Sequence, residues 1–218
     1  MEKDSLWVDI VSDVVCPWCV VGYHQLSKAA EMIGKKLVIQ WHPFQLNPDM
    51  PEDGENYISY LMAKYGMSRA HVLSNRIRIT ELGQAVGFAF HYNEQMRTYN
   101  SLRAHQLVAS AENDEQRHQL VMSLFEAFFV KHVNISHADE LIEIGERAGL
   151  NREIIAKNLE DNTFLPQVER DMKAWRELGV NGVPSFLFEN TYFVSGAQGV
   201  ERFSNILTQV SHAKNNSE

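Results

Sequence analysis

Val14-Val15-Cys16-Pro17-Trp18-Cys19 holds both cysteines of this 218-residue chain. A strand pattern, Leu6 to Ser12, runs into the stretch, and a helix pattern, Pro17 to Ile33, runs out of it. Two cysteines at that spacing, between a strand and a helix and without a third, read as a redox pair. Pro17 suits the first helical position, where its missing N–H would have been unpaired anyway. Cys16 then falls at the N-cap, where free backbone N–H groups and the helix dipole favour an anion. A thiolate, the nucleophilic form, should be easier to form there than in water. Cys19 lies one turn further on, on the same side, within reach of a mixed disulfide at Cys16. The spacing predicts Cys16 as an exposed attacking thiol and Cys19 as a buried resolving thiol.

Two other readings of the pair stand beside this one. A structural disulfide would close a very small loop and so constrain the unfolded chain little. A zinc site would need two more ligands, and the nine histidines contain no pair four positions apart. The redox reading is preferred and no metal is expected.

The composition is 44% apolar, which allows a real core in one large domain or one domain with an insertion. The net charge of −8 argues against a nucleic-acid-binding face, which needs basic residues. No apolar segment has the length to span a membrane. Met1 to Ser5 goes straight into a strand, with no basic and apolar leader pattern, so a cytoplasmic location is expected. In a reducing compartment a cysteine pair is more often catalytic than structural.

Leu6 to Val11 is short, apolar and β-branched, as suits a strand buried on both faces. Cys19, Tyr23, Leu26, Ala30 and Ile33 form the apolar stripe of the first helix, which Gly34 ends. Leu37 to Trp41 is a second strand, so the start of the chain is a right-handed βαβ unit. Pro43 to Gly54 is loop. From Tyr57 to Leu178 the pattern is helical almost throughout, with Leu120, Val121, Leu124, Phe125, Phe128 and Phe129 read as bundle core. Ser136 with Asp139 reads as a capping box, Asn151 as an N-cap, Gly149 as a helix end and Pro166 as a helix start. Phe186 to Phe188 and Thr191 to Val194 read as a hairpin turning on Glu189-Asn190. A last helix runs from Val200 to Val210, and Ser211 to Glu218 is expected to fray.

Pro184 heads the first hairpin strand. It reads either as an ordinary trans proline at a strand start or as a cis proline facing the cysteine pair. The order of elements favours the second. A βαβ unit, a helical segment, a ββ hairpin and a closing helix is the thioredoxin order. The expected fold is α/β, a thioredoxin fold (βαβ…ββα) with a large all-helical insertion. Residues 1–54 and 179–218 would form the thioredoxin-like domain and 55–178 the inserted helical domain.

Cys16-Pro17-Trp18-Cys19 after the first strand, the long helical segment and Gly182-Val183-Pro184 before the hairpin resemble the DsbA family. Four phrases are similar to its FrnE-like branch: Asp13 to Cys19, Pro43 to Pro51, Asn100 to His105, and Val194 to Gln198. The resemblance spans about residues 5 to 210 and implies a thiol–disulfide oxidoreductase. It carries over Cys16 as nucleophile, Cys19 as resolving thiol and Pro184 as the cis proline beside them. Pro17 and Trp18 would support the site, and Val183 would offer its backbone to an extended substrate. Val20-Val21-Gly22-Tyr23 departs from the aromatic and basic residues relatives often carry there, which would alter the rim of the site. Asp13 is a candidate proton relay, with a solvated turn carboxylate as the blander reading. Asn100 and His105 could face the cleft, with a satisfied structural histidine equally open for His105.

The expected partners are protein, peptide or small thiols, with no bound cofactor and with glutathione as a possible redox partner. The chain is expected to be a monomer or a homodimer. The alternative is a glutathione-dependent or hydroxychromene-carboxylate-type isomerase or transferase acting on small aromatic molecules. Those relatives typically carry serine where Cys16 stands, so the intact pair favours redox chemistry. A non-enzymatic, peptide-binding role is a third reading.

Overall fold

The computed structural model describes residues 5–215. The chain begins with β1 (Ser5–Ser12), α1 (Pro17–Met32) and β2 (Lys36–Pro43). A two-residue strand β3 (Glu55–Asn56) leads into α2 (Tyr57–Tyr65) and α3 (Arg69–Ala85). After β4 (Arg97–Thr98) come α4 (Leu102–Ala109), α5 (Asp114–Phe129), α6 (Ala138–Arg147), α7 (Arg152–Glu160) and α8 (Leu165–Glu177). The hairpin β5 (Ser185–Phe188) and β6 (Tyr192–Ser195) and the helix α9 (Val200–Asn215) close the chain.

The main sheet has the order β2-β1-β5-β6. β1 runs parallel to β2, with Ile10 opposite Trp41, and antiparallel to β5, with Ile10 opposite Phe186. A parallel neighbour needs a crossover connection, which α1 supplies. Because β1 is interior to the sheet and covered on both faces, its run is apolar almost throughout, with Val8 and Ile10 fully buried. Thr191 N–H donates to Phe188 O at 3.0 Å and closes the hairpin. The central residues Glu189 and Asn190 both have positive φ, 46° and 55°, the sign pair that matches the right-handed twist of the flanking strands.

α1 packs on α9, while α5 and α8 pack on β2. One continuous core joins β1 and α1 to the helices between β2 and β5, so that Trp41, Phe125, Phe128, Phe129 and Phe203 belong to a single apolar cluster. This is the thioredoxin fold with a helical insertion. Gly34, at φ +64°, closes α1 through the left-handed turn read from the sequence.

Three local expectations are corrected. The stretch from 57 to 178, expected to be helical almost throughout, is broken between α3 and α4. Gly87, at φ +89°, stops the helical path, and β4 then pairs with β3. In between, Phe88, Phe90 and Tyr92 stack in series, with Phe90 against Phe129. Ser136 does not cap α6. His137 holds the N-cap without a side-chain bond, and Ser136 Oγ donates instead to Glu52 O at 2.6 Å. Finally, the chain does not fray at Ser211, because α9 continues to Asn215, with Val210 and Ser211 both buried. The rest of that tail, Asn216 to Glu218, lies outside the described residues, as do Met1 to Asp4. Asn151 caps α7 as read, accepting from Ile154 N–H at 3.1 Å.

Candidate active site

β1 ends on Ser12, and the chain turns through Asp13, Val14 and Val15 into α1. Cys16 N–H donates to Asp13 O at 3.0 Å and closes that turn. Cys16 is extended, at φ −94° and ψ 111°, and takes the N-cap, with Pro17 in the first helical turn. No acidic side chain occupies that turn, so the helix's positive end is left to whatever anion approaches it.

Cys16 is only 4% exposed, which corrects the expectation of an openly exposed thiol. It is covered from the hairpin side, where its Sγ lies 3.7 Å from Val183 O. The Val183–Pro184 peptide bond is cis. Gly22 keeps this approach close. A Cβ there would come within 3.1 Å of both Pro184 Cγ and Phe186 Cζ. Val20 and Val21 are fully buried and Tyr23 half-buried, and none of the three lines the cleft beside Cys16.

Cys19 is fully buried and both thiols are free. Burial pushes the Cys19 thiol well above its usual range. A hydrogen bond with Cys16 and the charge on Cys16 push it the same way, while the Ser12 hydroxyl and the Asp13 main chain pull against them.

Cys16, Pro17 and Trp18 open onto a cleft of about 210 Å³. It is lined as well by Leu46 and Asn47, by Tyr57, Tyr60 and Tyr65, and by Val72, Arg76 and Ile79 of α3. The tyrosines and Arg76 are not among the candidate residues that the sequence motifs mark. Their signal was there: Val72, Arg76 and Ile79 fall on one face of α3, and an arginine inside an apolar stripe is unusual enough to notice.

The polar candidates lie behind the cleft. Asp13 is fully buried, so the solvated-carboxylate reading does not hold. Its Oδ2 accepts from Leu46 N–H at 2.8 Å, its Oδ1 from Val15 N–H at 3.3 Å, and His105 Nε2 stands 3.5 Å from Oδ1. His105 is also buried, and its Nε2 carries a proton donated to Phe44 O at 2.9 Å. Asn100 does not face the cleft. It accepts from Gln45 Nε2 at 2.7 Å and Leu102 N–H at 2.9 Å and donates to Pro48 O and Met50 O. Asp13, Asn100 and His105 therefore meet on one task, holding the proline loop from Pro43 to Pro51 against the turn before Cys16. Among the described residues no group of three His, Cys, Asp or Glu could hold a metal ion, and no helix is long and apolar enough to cross a membrane.

A thioredoxin fold with a helical insertion and a cysteine pair at the first helix defines a class of thiol-active proteins. Residues 7–208 match the DSBA-like thioredoxin domain, and the chain belongs to that family. The uncharacterized protein YwbO of Bacillus subtilis is 26% identical over 96% of this chain and all of its own length. A probable DsbA oxidoreductase from Streptomyces coelicolor superposes with a TM-score of 0.86 at 28% identity, covering 94% of this chain and 89% of its own. Two more distant structures share the fold. A 2-hydroxychromene-2-carboxylate isomerase has a TM-score of 0.73 at 16% identity, over 97% of this chain and 99% of its own. The cytosolic disulfide reductase DsbM of Pseudomonas aeruginosa, solved with glutathione, has 0.63 at 17%, over 94% and 98%.

Proposed function

We propose that the protein is a FrnE-like thiol–disulfide oxidoreductase that works through Cys16 and Cys19. The observation that carries this reading is the asymmetry of the pair. Cys16 lies on a helix N-cap and lines the cleft, and Cys19 lies fully buried behind it. Cys16 attacks a substrate disulfide, a mixed disulfide forms, and Cys19 displaces the substrate. Two of the influences that keep Cys19 protonated come from Cys16, namely its hydrogen bond and its charge. Both vanish once Cys16 sulfur is tied in a mixed disulfide, so the resolving thiol becomes easier to deprotonate at the step that needs it.

Val183 offers main-chain groups beside Cys16, so an extended peptide could dock there by strand addition. The glutathione in the DsbM structure supports a small thiol as redox partner. The test is insulin reduction with Cys16→Ser and Cys19→Ser variants. Cys16→Ser should abolish turnover, and Cys19→Ser should accumulate mixed disulfides. Turnover retained by Cys16→Ser would refute the reading.

The aromatic lining of the cleft favours a second reading, an isomerase or glutathione-dependent transferase for small aromatic molecules. It requires that a variant lacking both thiols still bind glutathione and turn over an aromatic substrate.

A further inference from the structure

We propose that the cleft beside Cys16 receives a low-molecular-weight disulfide whose departing half is an aromatic carboxylate, held by Arg76 through its carboxylate group. This rests on the redox reading of the pair and names its substrate class.

The charge around the cleft is unlike that of the rest of the molecule. The chain carries 28 acidic residues and a net charge of −8. Yet among the described residues lining the cleft none is acidic and Arg76 is the one that carries a charge, while Lys64 and Arg78 lie against its Tyr60, Tyr65 and Trp18 rings from beyond the lining. Arg76 is 6% exposed. Its Nη2 donates to Asn93 O at 2.9 Å. Its guanidinium lies 5.3 Å from the Tyr57 ring centre and 4.9 Å from that of Tyr92. Its Nε is buried without a hydrogen-bond partner. Glu94, the acid whose charge reaches it, is paired with Arg69 at 2.6 Å. A buried cation without an anion is costly, and two aromatic faces offset only part of that cost. Arg76 therefore brings to the cleft wall a charge that no acidic residue lining the cleft neutralises, and an incoming carboxylate would pair with it.

The walls select the rest of the ligand. Trp18, Tyr57, Tyr60, Leu61, Tyr65 and Ile79 present aromatic and aliphatic surface. A cavity of about 150 Å³ takes one benzene ring. The 210 Å³ here suits one substituted ring. An arylthiolate is also a good leaving group, because its thiol has a low pKa.

Cys16 thiolate attacks one sulfur of the aryl disulfide, whose S–S bond breaks, and the first arylthiolate leaves with the electron pair. Cys19 loses its proton to solvent and attacks the Cys16 sulfur, which expels the second arylthiolate. The protein ends with a Cys16–Cys19 disulfide, oxidised by two electrons, and the aryl disulfide has been reduced by two.

The experiment is single-turnover stopped flow on the reduced full-length protein. The probes are 2,2′-dithiodibenzoate, its uncharged dicarboxamide, and hydroxyethyl disulfide as a neutral aliphatic control. Each rate is divided by the rate of the same disulfide with a free small thiol. Wild type should favour the dicarboxylate over the dicarboxamide by about tenfold or more, as for a hydrogen-bonded charge. Arg76→Gln should abolish that preference, and Arg76→Lys should keep part of it. Equal normalised rates in wild type would overturn the assignment, as would an unchanged preference in Arg76→Gln. If Arg76→Gln does not fold, the wild-type comparison and Arg76→Lys decide. A protein that reacts with hydroxyethyl disulfide but shows no preference loses this proposal and keeps the redox reading. A protein that reacts with none of the three loses both.

Discussion

Asp13 Oδ2 accepts the Leu46 main-chain N–H at 2.8 Å, and through that one bond the turn that delivers Cys16 is fastened to the loop that walls its cleft. The same carboxylate holds Val15 N–H, one residue before the nucleophile. The position of Cys16 and the position of Leu46 are thus set by one buried side chain.

Asp13→Ala should therefore destabilise the fold by about 2–4 kcal/mol, because it leaves buried N–H groups without acceptors. Asp13→Asn should cost less, since it keeps the shape and one acceptor. Urea unfolding measures both. A loss under about 1 kcal/mol for Asp13→Ala would mean that the loop is held by other contacts.

Cys16→Ala should lower the pH at which Cys19 ionises, and the midpoint should still stay above that of a free thiol. Burial, the largest cause, remains in the variant, while the hydrogen bond and the charge from Cys16 are gone. Thiolate absorbance or alkylation rate against pH reads this directly. An unchanged midpoint would remove Cys16 from the control of Cys19.

Gly22→Val should weaken both the fold and the site. The new side chain would push into Pro184 and Phe186, where even a Cβ reaches 3.1 Å. Overpacking of this kind costs about 1–3 kcal/mol. It should also slow the reaction of the reduced protein with hydroxyethyl disulfide by moving Pro184 away from Cys16. A variant of unchanged stability and rate would show that this contact is slack.

Stability should fall on acidification through a pair of histidines. Trp41 Nε1 donates to His118 Nδ1 at 3.0 Å, so the neutral ring carries its proton on Nε2, toward the Tyr23 hydroxyl at 3.1 Å. Burial lowers the pKa of His118, and burial and the His118 charge lower that of His24. In the unfolded chain both take up a proton near pH 6.5. Below that pH the unfolded state binds more protons, so stability drops until the folded histidines titrate as well. The urea midpoint should be lower at pH 5.5 than at pH 7.5, and His118→Gln should reduce the difference. Equal pH dependence in the variant would exclude His118.

The parts of the fold that depend on neighbours in sequence were legible. The apolar run of Leu6 to Ser12, the prolyl helix start at Pro17 and the turn at Glu189-Asn190 each carry their signal within a few residues. Features set by distant partners were not. Ser136 looks like a cap from its neighbours, but its hydroxyl is taken by Glu52, 84 positions away. Asp13 looks like a turn carboxylate, and only the return of the Pro43 to Pro51 loop buries it. Pro184 and Cys16 were linked through the order of elements, and their closeness depends on an absent side chain at Gly22. Arg76 could have been read as an arginine on a core-facing stripe, but nothing local shows that its stripe faces Cys16.

The most direct test of the account is a redox titration of the reduced and oxidised protein in glutathione buffers, followed by Trp18 fluorescence and by thiol trapping. The account predicts one reversible two-electron transition with both thiols lost together, no intramolecular disulfide in Cys16→Ser or Cys19→Ser, and in Cys19→Ser only a mixed disulfide between Cys16 and glutathione. Failure to form a Cys16–Cys19 disulfide at any glutathione ratio would contradict it and turn attention to chemistry on small aromatic molecules.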